Sequence, residues 1–360
     1  MKIIAFHLPQ YHSFPENDKW WGKGFTDWDN VKKAKPLFEG HMQPVVPDKA
    51  NYYNMLEVDT LKRQAELARE YGVYAFCYYH YWFDGKLLME KPVELLLKNP
   101  DIKTHFCMCW ANEPWTRAWD GATSEIIMPQ EYGKKKEWKE HIDYLIPFFK
   151  DDRYIKINGC PLFVIYRTES ISDIDPMIQL WEDVCRKAGF NGIHIVEELN
   201  GFQTQEYSKK SKAILKFQPN YEEKVRGSLV KKIDRLKSKF ICKRYDVERT
   251  LYFASYDRVW KRILKDARSE TRNNIYPGAF VAWDNTPRKK TKGSVFYGAT
   301  PEKFEKYFSQ LACISNEKKS EFIFVNAWNE WAEGAYLEPD ETNGYKYLDV
   351  IKRINEKYDK

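Results

Sequence analysis

Eight short apolar runs recur along the chain, at residues 2–8, 73–79, 104–110, 162–166, 193–197, 213–217, 279–283 and 322–328, each closing on polar or aromatic residues. Between them, residues 56–71, 93–98, 138–149, 177–188, 301–311 and 347–358 carry apolar positions at three- and four-residue spacing, the period of a helix with one buried face. Strand-helix alternation of this kind predicts a parallel sheet, and eight units in 360 residues predict an α/β protein of the (β/α)8 TIM-barrel type. An open, doubly wound sheet is the runner-up, but the Gly-rich strand-to-helix turn that such a sheet uses for nucleotides does not occur. The rhythm breaks between Asn220 and Arg272, so residues 1–360 read as a single catalytic domain with residues 220–272 as an inserted basic subdomain.

Charge sharpens that last point. The net charge is +6, and residues 226–249 hold nine Lys/Arg against Asp234, Asp246 and Glu248, so this segment alone accounts for the whole excess. The remaining surface is balanced, which argues against a nucleic-acid-binding protein and leaves residues 226–249 as a solvated face or a peripheral contact with a membrane or a pyrophosphate. Mean hydropathy is −0.68 and no apolar run approaches 18 residues, so no spanning helix is expected. The start of the sequence lacks the apolar core of a signal peptide, and the expected compartment is the cytoplasm. Seven scattered cysteines fit reduced thiols better than a disulfide framework. Cys107 and Cys109 have no second Cys/His pair to complete a metal site, and neither metal nor cofactor is expected.

In a barrel of this type the chemistry sits at the carboxyl ends of the strands. Those positions hold His7, His80, Asn112, Glu113, Arg167, Glu197, Glu198, Asp284, Asn329, Glu330 and Glu333. A rim of carboxylates and histidines suits acid-base work on an uncharged polar substrate. Aromatic residues make up 16% of the chain, and Trp28, Trp110, Trp115, Trp119, Trp283, Trp328 and Trp331 lie in the same rim segments. Ring faces against the C–H faces of a sugar would use them; packing of the core and loops is the plainer use.

The sharpest local feature is Asn329-Glu330-Trp331-Ala332-Glu333 at the last predicted strand end. Glycosidic-bond chemistry commonly takes two carboxyl groups with separated proton affinities, and burial against Trp328 and Trp331 would separate these two. Glu113, in Ala111-Asn112-Glu113-Pro114-Trp115, is a competing acid. There is no nucleophile elbow, and Asp173-Ile174-Asp175 reads as an acidic helix start, not as the metal site of a sugar transferase.

At this point several long segments become diagnostic: Trp20-Trp21-Gly22-Lys23-Gly24-Phe25-Thr26-Asp27-Trp28, residues 109–116, Trp119-Asp120-Gly121, residues 277–288 and residues 327–339. They resemble the WbsX family, proteins related to glycoside hydrolase family 99 and often labelled glycosyltransferases of bacterial surface-polysaccharide synthesis. The resemblance implies a (β/α)8 barrel and a site on the Asn-Glu-Trp-x-Glu turn. In family 99 the substrate is an α-mannoside; the first glutamate takes the proton of the sugar 2-hydroxyl to give a 1,2-anhydro intermediate, and the second is general acid, then base. Carried over, the resemblance makes Glu330 the base and Glu333 the acid/base.

The expected function is therefore retaining chemistry on a mannose-like α-glycoside, acting on an oligosaccharide or polysaccharide with a nucleotide-sugar or lipid-linked glycan as donor, in O-antigen or capsule synthesis. Hydrolysis by an endo-α-mannosidase-type enzyme is the alternative, since the same glutamates serve both reactions and only scattered cations, Lys23, Arg117, Arg167 and Arg288, could meet a pyrophosphate. A non-catalytic glycan-binding barrel would keep the tryptophans and dispense with both glutamates, and a membrane-surface scaffold would depend on residues 226–249 alone.

Overall fold

The computed structural model describes residues 1–116, 125–248 and 250–358. Eight strands form a closed parallel barrel: β1 Lys2–His7, β2 Ala75–Phe83, β3 His105–Trp110, β4 Cys160–Ile165, β5 His194–Leu199, β6 Ala213–Lys216, β7 Ile275–Phe280 and β8 Phe322–Asn326. They pair in chain order, and β1 closes the ring by pairing with both β2 and β8, Ile4 opposite Ala75 and Phe324. Strands covered on both sides read as near-continuous apolar runs, which is why β3 (His-Phe-Cys-Met-Cys-Trp) is buried at every position after His105.

Helices α1 Pro15–Trp21 and α2 Asp27–Lys33 lie in the loop after β1, and the outer layer begins with α3 Val58–Glu70, α4 Lys91–Lys98, α5 Lys135–Lys150 and α6 Ile174–Lys187. After β6 come α7 Asn220–Val225, α8 Ser228–Arg244 and α9 Tyr256–Ser269; α10 Thr286–Lys289 and α11 Pro301–Glu317 follow β7, and α12 Lys346–Tyr358 follows β8. The layer packs by large aromatics: Trp181 of α6 and Trp260 of α9 are fully buried, and the Trp260 ring stacks on Phe280 of β7. Among the described residues no helix is long and apolar enough to cross a membrane.

Two expectations are revised. Residues 220–272 do not stand apart as an inserted subdomain, because α9 is the barrel helix between β6 and β7, its buried face formed by Tyr256, Val259, Trp260, Ile263 and Leu264. A parallel strand pair, Tyr252–Ser255 with Ser294–Tyr297, also ties the segment to the loop after β7. What remains extra is α7 and α8. The seventh strand is shifted as well, ending at Phe280 and containing Pro277 and Gly278. A Cβ on Gly278 would lie 2.0 Å from the Lys216 carbonyl oxygen, so the glycine is there to let β6 and β7 approach.

Candidate active site

The chain leaves β8 at Asn326 and folds back on itself, Asn329–Glu330 pairing with Ala335–Tyr336 around a single turn of 3₁₀-helix at Trp331–Glu333. Gly334 closes that turn at φ 61°, and a Cβ there would lie 2.9 Å from the Asp284 backbone nitrogen. Asn329 fastens the turn to the end of β1: its Oδ1 accepts from the Leu8 N–H at 2.7 Å and its Nδ2 donates to the Leu8 carbonyl at 3.0 Å. The Tyr11 hydroxyl donates to the Asn329 carbonyl at 2.6 Å and accepts from the Trp331 N–H at 3.2 Å. Below, the buried Glu338 carboxylate accepts from Trp328 Nε1 at 3.1 Å, Trp331 Nε1 at 2.8 Å, Tyr53 Oη at 2.7 Å and Gln64 Nε2 at 2.9 Å. Seven side chains, Asn329, Tyr11, Glu338, Trp328, Trp331, Tyr53 and Gln64, thus brace the turn that carries the two glutamates.

Those glutamates meet on Arg288. Its Nη2 donates to Glu330 Oε2 at 3.0 Å and to Asp27 Oδ2 at 2.6 Å, and its Nη1 donates to Glu333 Oε1 at 2.8 Å. Two hydrogen bonds and the span of one guanidinium therefore separate the contacting oxygens of Glu330 and Glu333, which puts them within about 8 Å, the range in which two carboxyls act across one glycosidic bond. Burial pushes the Glu330 carboxyl up to about 8; Arg288 opposes the rise, while the charges of Glu333 and Asp27 add to it. Glu333 is the more open of the pair, its side chain 22% exposed against 8% for Glu330.

Around this pair lies a ring of polar groups. Burial raises the Glu113 carboxyl, the nearby Arg167 lowers it, and the charge of Glu333 raises it further. Arg167 Nη1 stands 4.0 Å from Glu113 Oε2, its Nε donates to Glu169 Oε1 at 2.8 Å, and its guanidinium lies 4.5 Å over the Phe202 ring. The phenols of Tyr79 and Tyr81 are held well above the ordinary range by burial, with the charge of Glu330 adding to it. Glu198 is fully buried, its carboxyl raised by desolvation. Asp284 sits beside the turn, its N–H donating to the Glu333 carbonyl at 2.7 Å. Its carboxylate accepts from His41 Nε2, Gln43 Nε2 and Thr286 Oγ1 at 2.8, 2.8 and 2.6 Å, and despite burial those donors hold it below the usual carboxylate range.

The structure brings together Glu330, Glu333, Glu113, Arg167 and Asp284, and sends other candidates elsewhere. His7 is buried with its Nε2 3.2 Å from Gln64 Oε1 of α3, and burial lowers its pKa to about 3. His80 meets His141 of α5 at 2.9 Å, also lowered by burial to about 3, while Trp110 packs edge-on against His141 and donates to the Trp82 carbonyl at 3.1 Å. All three face the helix layer. Asn112 spends its amide on the Arg167 backbone, Trp28 donates to the Tyr53 carbonyl, and Trp283 donates to Ser294 Oγ. Trp328, Asn329 and Trp331 are consumed in the scaffold of the turn. Trp115 is packed among Phe14, Trp20 and Trp21. Glu197 is fully buried and staples residues 207–211 through the Ser208 N–H and Ser211 Oγ, each at 3.0 Å. Trp119 and Arg117 lie outside the described residues.

Reading strand ends missed Asp27 and the central place of Arg288. Both stand in the diagnostic segments, Asp27 between Thr26 and Trp28 and Arg288 after Pro287, and a lone Asp or Arg in a loop carries no sign of its partner. Among the described residues no group of three or more His, Cys, Asp or Glu could hold a metal ion.

Comparison with known proteins agrees with this architecture. The family described as Glycosyltransferase WbsX matches residues 3–351. Two curated relatives, the uncharacterized protein WxcX of Xanthomonas campestris pv. campestris strains B100 and ATCC 33913, are each 33% identical over 357 residues, 98% of this chain and 49% of theirs. The chain thus spans about half the length of the curated relatives it matches. Among solved structures, a GH99 endo-α-mannosidase from Bacteroides thetaiotaomicron superposes with a TM-score of 0.58 at 13% identity, covering 99% of this chain and 97% of that one. A glycoside hydrolase-like protein gives 0.61 at 13% identity over 98% and 93%, and at these identities both matches speak for the fold alone. With the profile running nearly end to end and the relatives agreeing over almost the whole chain, this protein belongs to the WbsX glycosyltransferase family.

Proposed function

We propose that the protein is a carbohydrate-active enzyme that transfers a mannose-like sugar with retention of its α-configuration, in the cytoplasmic assembly of a bacterial surface polysaccharide. The observation that carries the reading is the shared guanidinium: Arg288 holds Glu330 and Glu333 side by side, one buried with a raised proton affinity and one open to an incoming group. In the proposed cycle Glu330 takes the 2-hydroxyl proton and O2 bonds to C1 as the C1–aglycone bond breaks, Glu333 giving its proton to the leaving oxygen. An acceptor hydroxyl then attacks C1 and passes its proton to Glu333; the C1–O2 bond opens and O2 recovers its proton from Glu330. Two inversions leave the configuration retained. Raised to about 8, the Glu330 carboxyl is a stronger base once ionised, so turnover should rise with pH towards 8, and the more exposed carboxyl stands where leaving group and acceptor must pass. The free cysteines, Cys77, Cys107 and Cys109 among them buried in the barrel, suit a reducing compartment.

The test is a magnetic-resonance screen of the purified chain against α-linked manno-oligosaccharides and against nucleotide-activated sugars with simple acceptors, with Glu333→Gln as control. Nucleotide release with a new glycosidic bond, lost in the variant, supports transfer. Glutamate-dependent cleavage of an oligosaccharide makes the protein a hydrolase instead. Binding that survives in Glu333→Gln, with no turnover by either protein, favours a glycan-binding barrel.

A further inference from the structure

Helix α8 is amphipathic in the opposite sense to the other helices of the barrel. Its polar and small residues, Asp234, Ser238 and Cys242, are the buried ones. Asp234 Oδ1 accepts from Arg258 at 2.5 Å; Ser238 Oγ accepts from the Phe253 N–H at 2.9 Å, and Cys242 Sγ donates to the Leu251 carbonyl at 3.2 Å. Leu229, Ile233, Leu236 and Phe240 point the other way and are 69, 40, 66 and 70% exposed. At 100° per residue these four fall within about 60° of arc, almost diametrically opposite the anchored side. Lys232, Lys239 and Lys243 flank the stripe on one side and Lys237 and Arg244 on the other, all exposed, while the helix's acidic residue, Asp234, is buried. Four large apolar side chains in line are more than a lone soluble surface carries without use.

We infer that α8 is an interfacial helix that seats the protein on an anionic lipid bilayer. An apolar stripe bordered on both sides by lysines matches acyl chains below and acidic headgroups around it. The same pattern disfavours a second copy of the chain, because two such stripes face to face would bring lysine against lysine with no acidic partner. It disfavours nucleic acid, which has no use for the leucines and phenylalanine.

The position of α8 adds to the argument. Cys242 packs with Leu251, Phe253 and Val295 and with Phe38 from the loop after β1. Phe38 stacks on His41 at 4.4 Å, and His41 holds Asp284, whose N–H is bonded to the Glu333 carbonyl. The helix therefore stands at the catalytic end of the barrel, on the side of the loops that carry His41 and Asp284. The inference does not depend on which reaction the site performs.

The experiment is flotation of the full chain with vesicles of phosphatidylcholine alone and of phosphatidylcholine with a third phosphatidylglycerol, alongside sedimentation velocity. Binding to the anionic vesicles is expected, weakened at about 0.5 M salt and reduced about tenfold or more by Leu236→Glu with Phe240→Glu, both on the exposed face, with far-ultraviolet dichroism and substrate turnover unchanged. No flotation of the wild type with anionic vesicles overturns the inference, as does flotation that the double variant retains. A wild-type dimer that the double variant dissociates, without vesicle binding, overturns it in favour of a second copy as the occupant.

Discussion

Replacing Arg288 by methionine keeps much of the side-chain volume and removes the guanidinium that Asp27, Glu330 and Glu333 share. Breaking a buried ion pair by deleting one partner costs about 3–5 kcal/mol, since the remaining charge keeps its desolvation penalty. Asp27 is fully buried and receives two of the Arg288 bonds, so it carries much of that cost. Glu330 contributes in a pH-dependent way. Its folded-state pKa of about 8 lies above the ordinary 4.5, so the folded protein binds the extra proton, and the associated stability, complete below 4.5, is lost as pH rises through 8. Without Arg288 the value moves higher still, and the loss continues past the pH at which the wild type levels off. The gap between wild type and Arg288→Met should therefore widen from about 3 kcal/mol at pH 6 towards about 4.4 kcal/mol at pH 9, one pH unit above the Glu330 value adding at most about 1.4 kcal/mol. Urea unfolding followed by tryptophan fluorescence at both pH values measures it. A gap below about 1 kcal/mol, or one of the same size at both pH values, would refute the claim that this cation holds a raised carboxyl in place.

Other perturbations test neighbouring parts of the reasoning. Glu330→Gln and Glu333→Gln should each lower kcat by about 10²–10⁴-fold while leaving the dissociation constant of an unreacted glycan nearly unchanged, read by steady-state kinetics and calorimetry. Glu338→Leu strands the indole N–H groups of Trp328 and Trp331 with Tyr53 and Gln64, and should cost about 3 kcal/mol or more together with a shift in tryptophan emission. His80 has a folded-state pKa of about 3, below the 6.5 of the unfolded chain, so stability is lost as pH falls from 6.5 towards 3. The double variant His80→Leu with His141→Phe should flatten that acid limb, by up to about 2 kcal/mol per histidine at pH 5, and thermal midpoints at pH 7 and 5 will show it.

The barrel was legible in the sequence because burial on both faces writes each strand as an apolar run, and the helical period between runs leaves one topology that closes. The glutamate turn was legible too, since the strand-end rule and the diagnostic segments converge on Glu330 and Glu333. Which way a strand-end residue faces was not legible. Side chains alternate between lumen and helix layer, so His7 and His80 stand at the right level of the barrel and turn outward to Gln64 and His141. Nor does sequence show that Asn329, Trp328 and Trp331 are spent holding the turn, because that depends on Leu8, Tyr53 and Gln64 arriving from the start of the chain. Residue types and local period set the strands, the helices and the list of groups with chemistry in them. The meeting of Asp27, Arg288, Glu330 and Glu333 was decided by barrel closure alone, which brings residues some 300 positions apart within hydrogen-bond reach of one guanidinium.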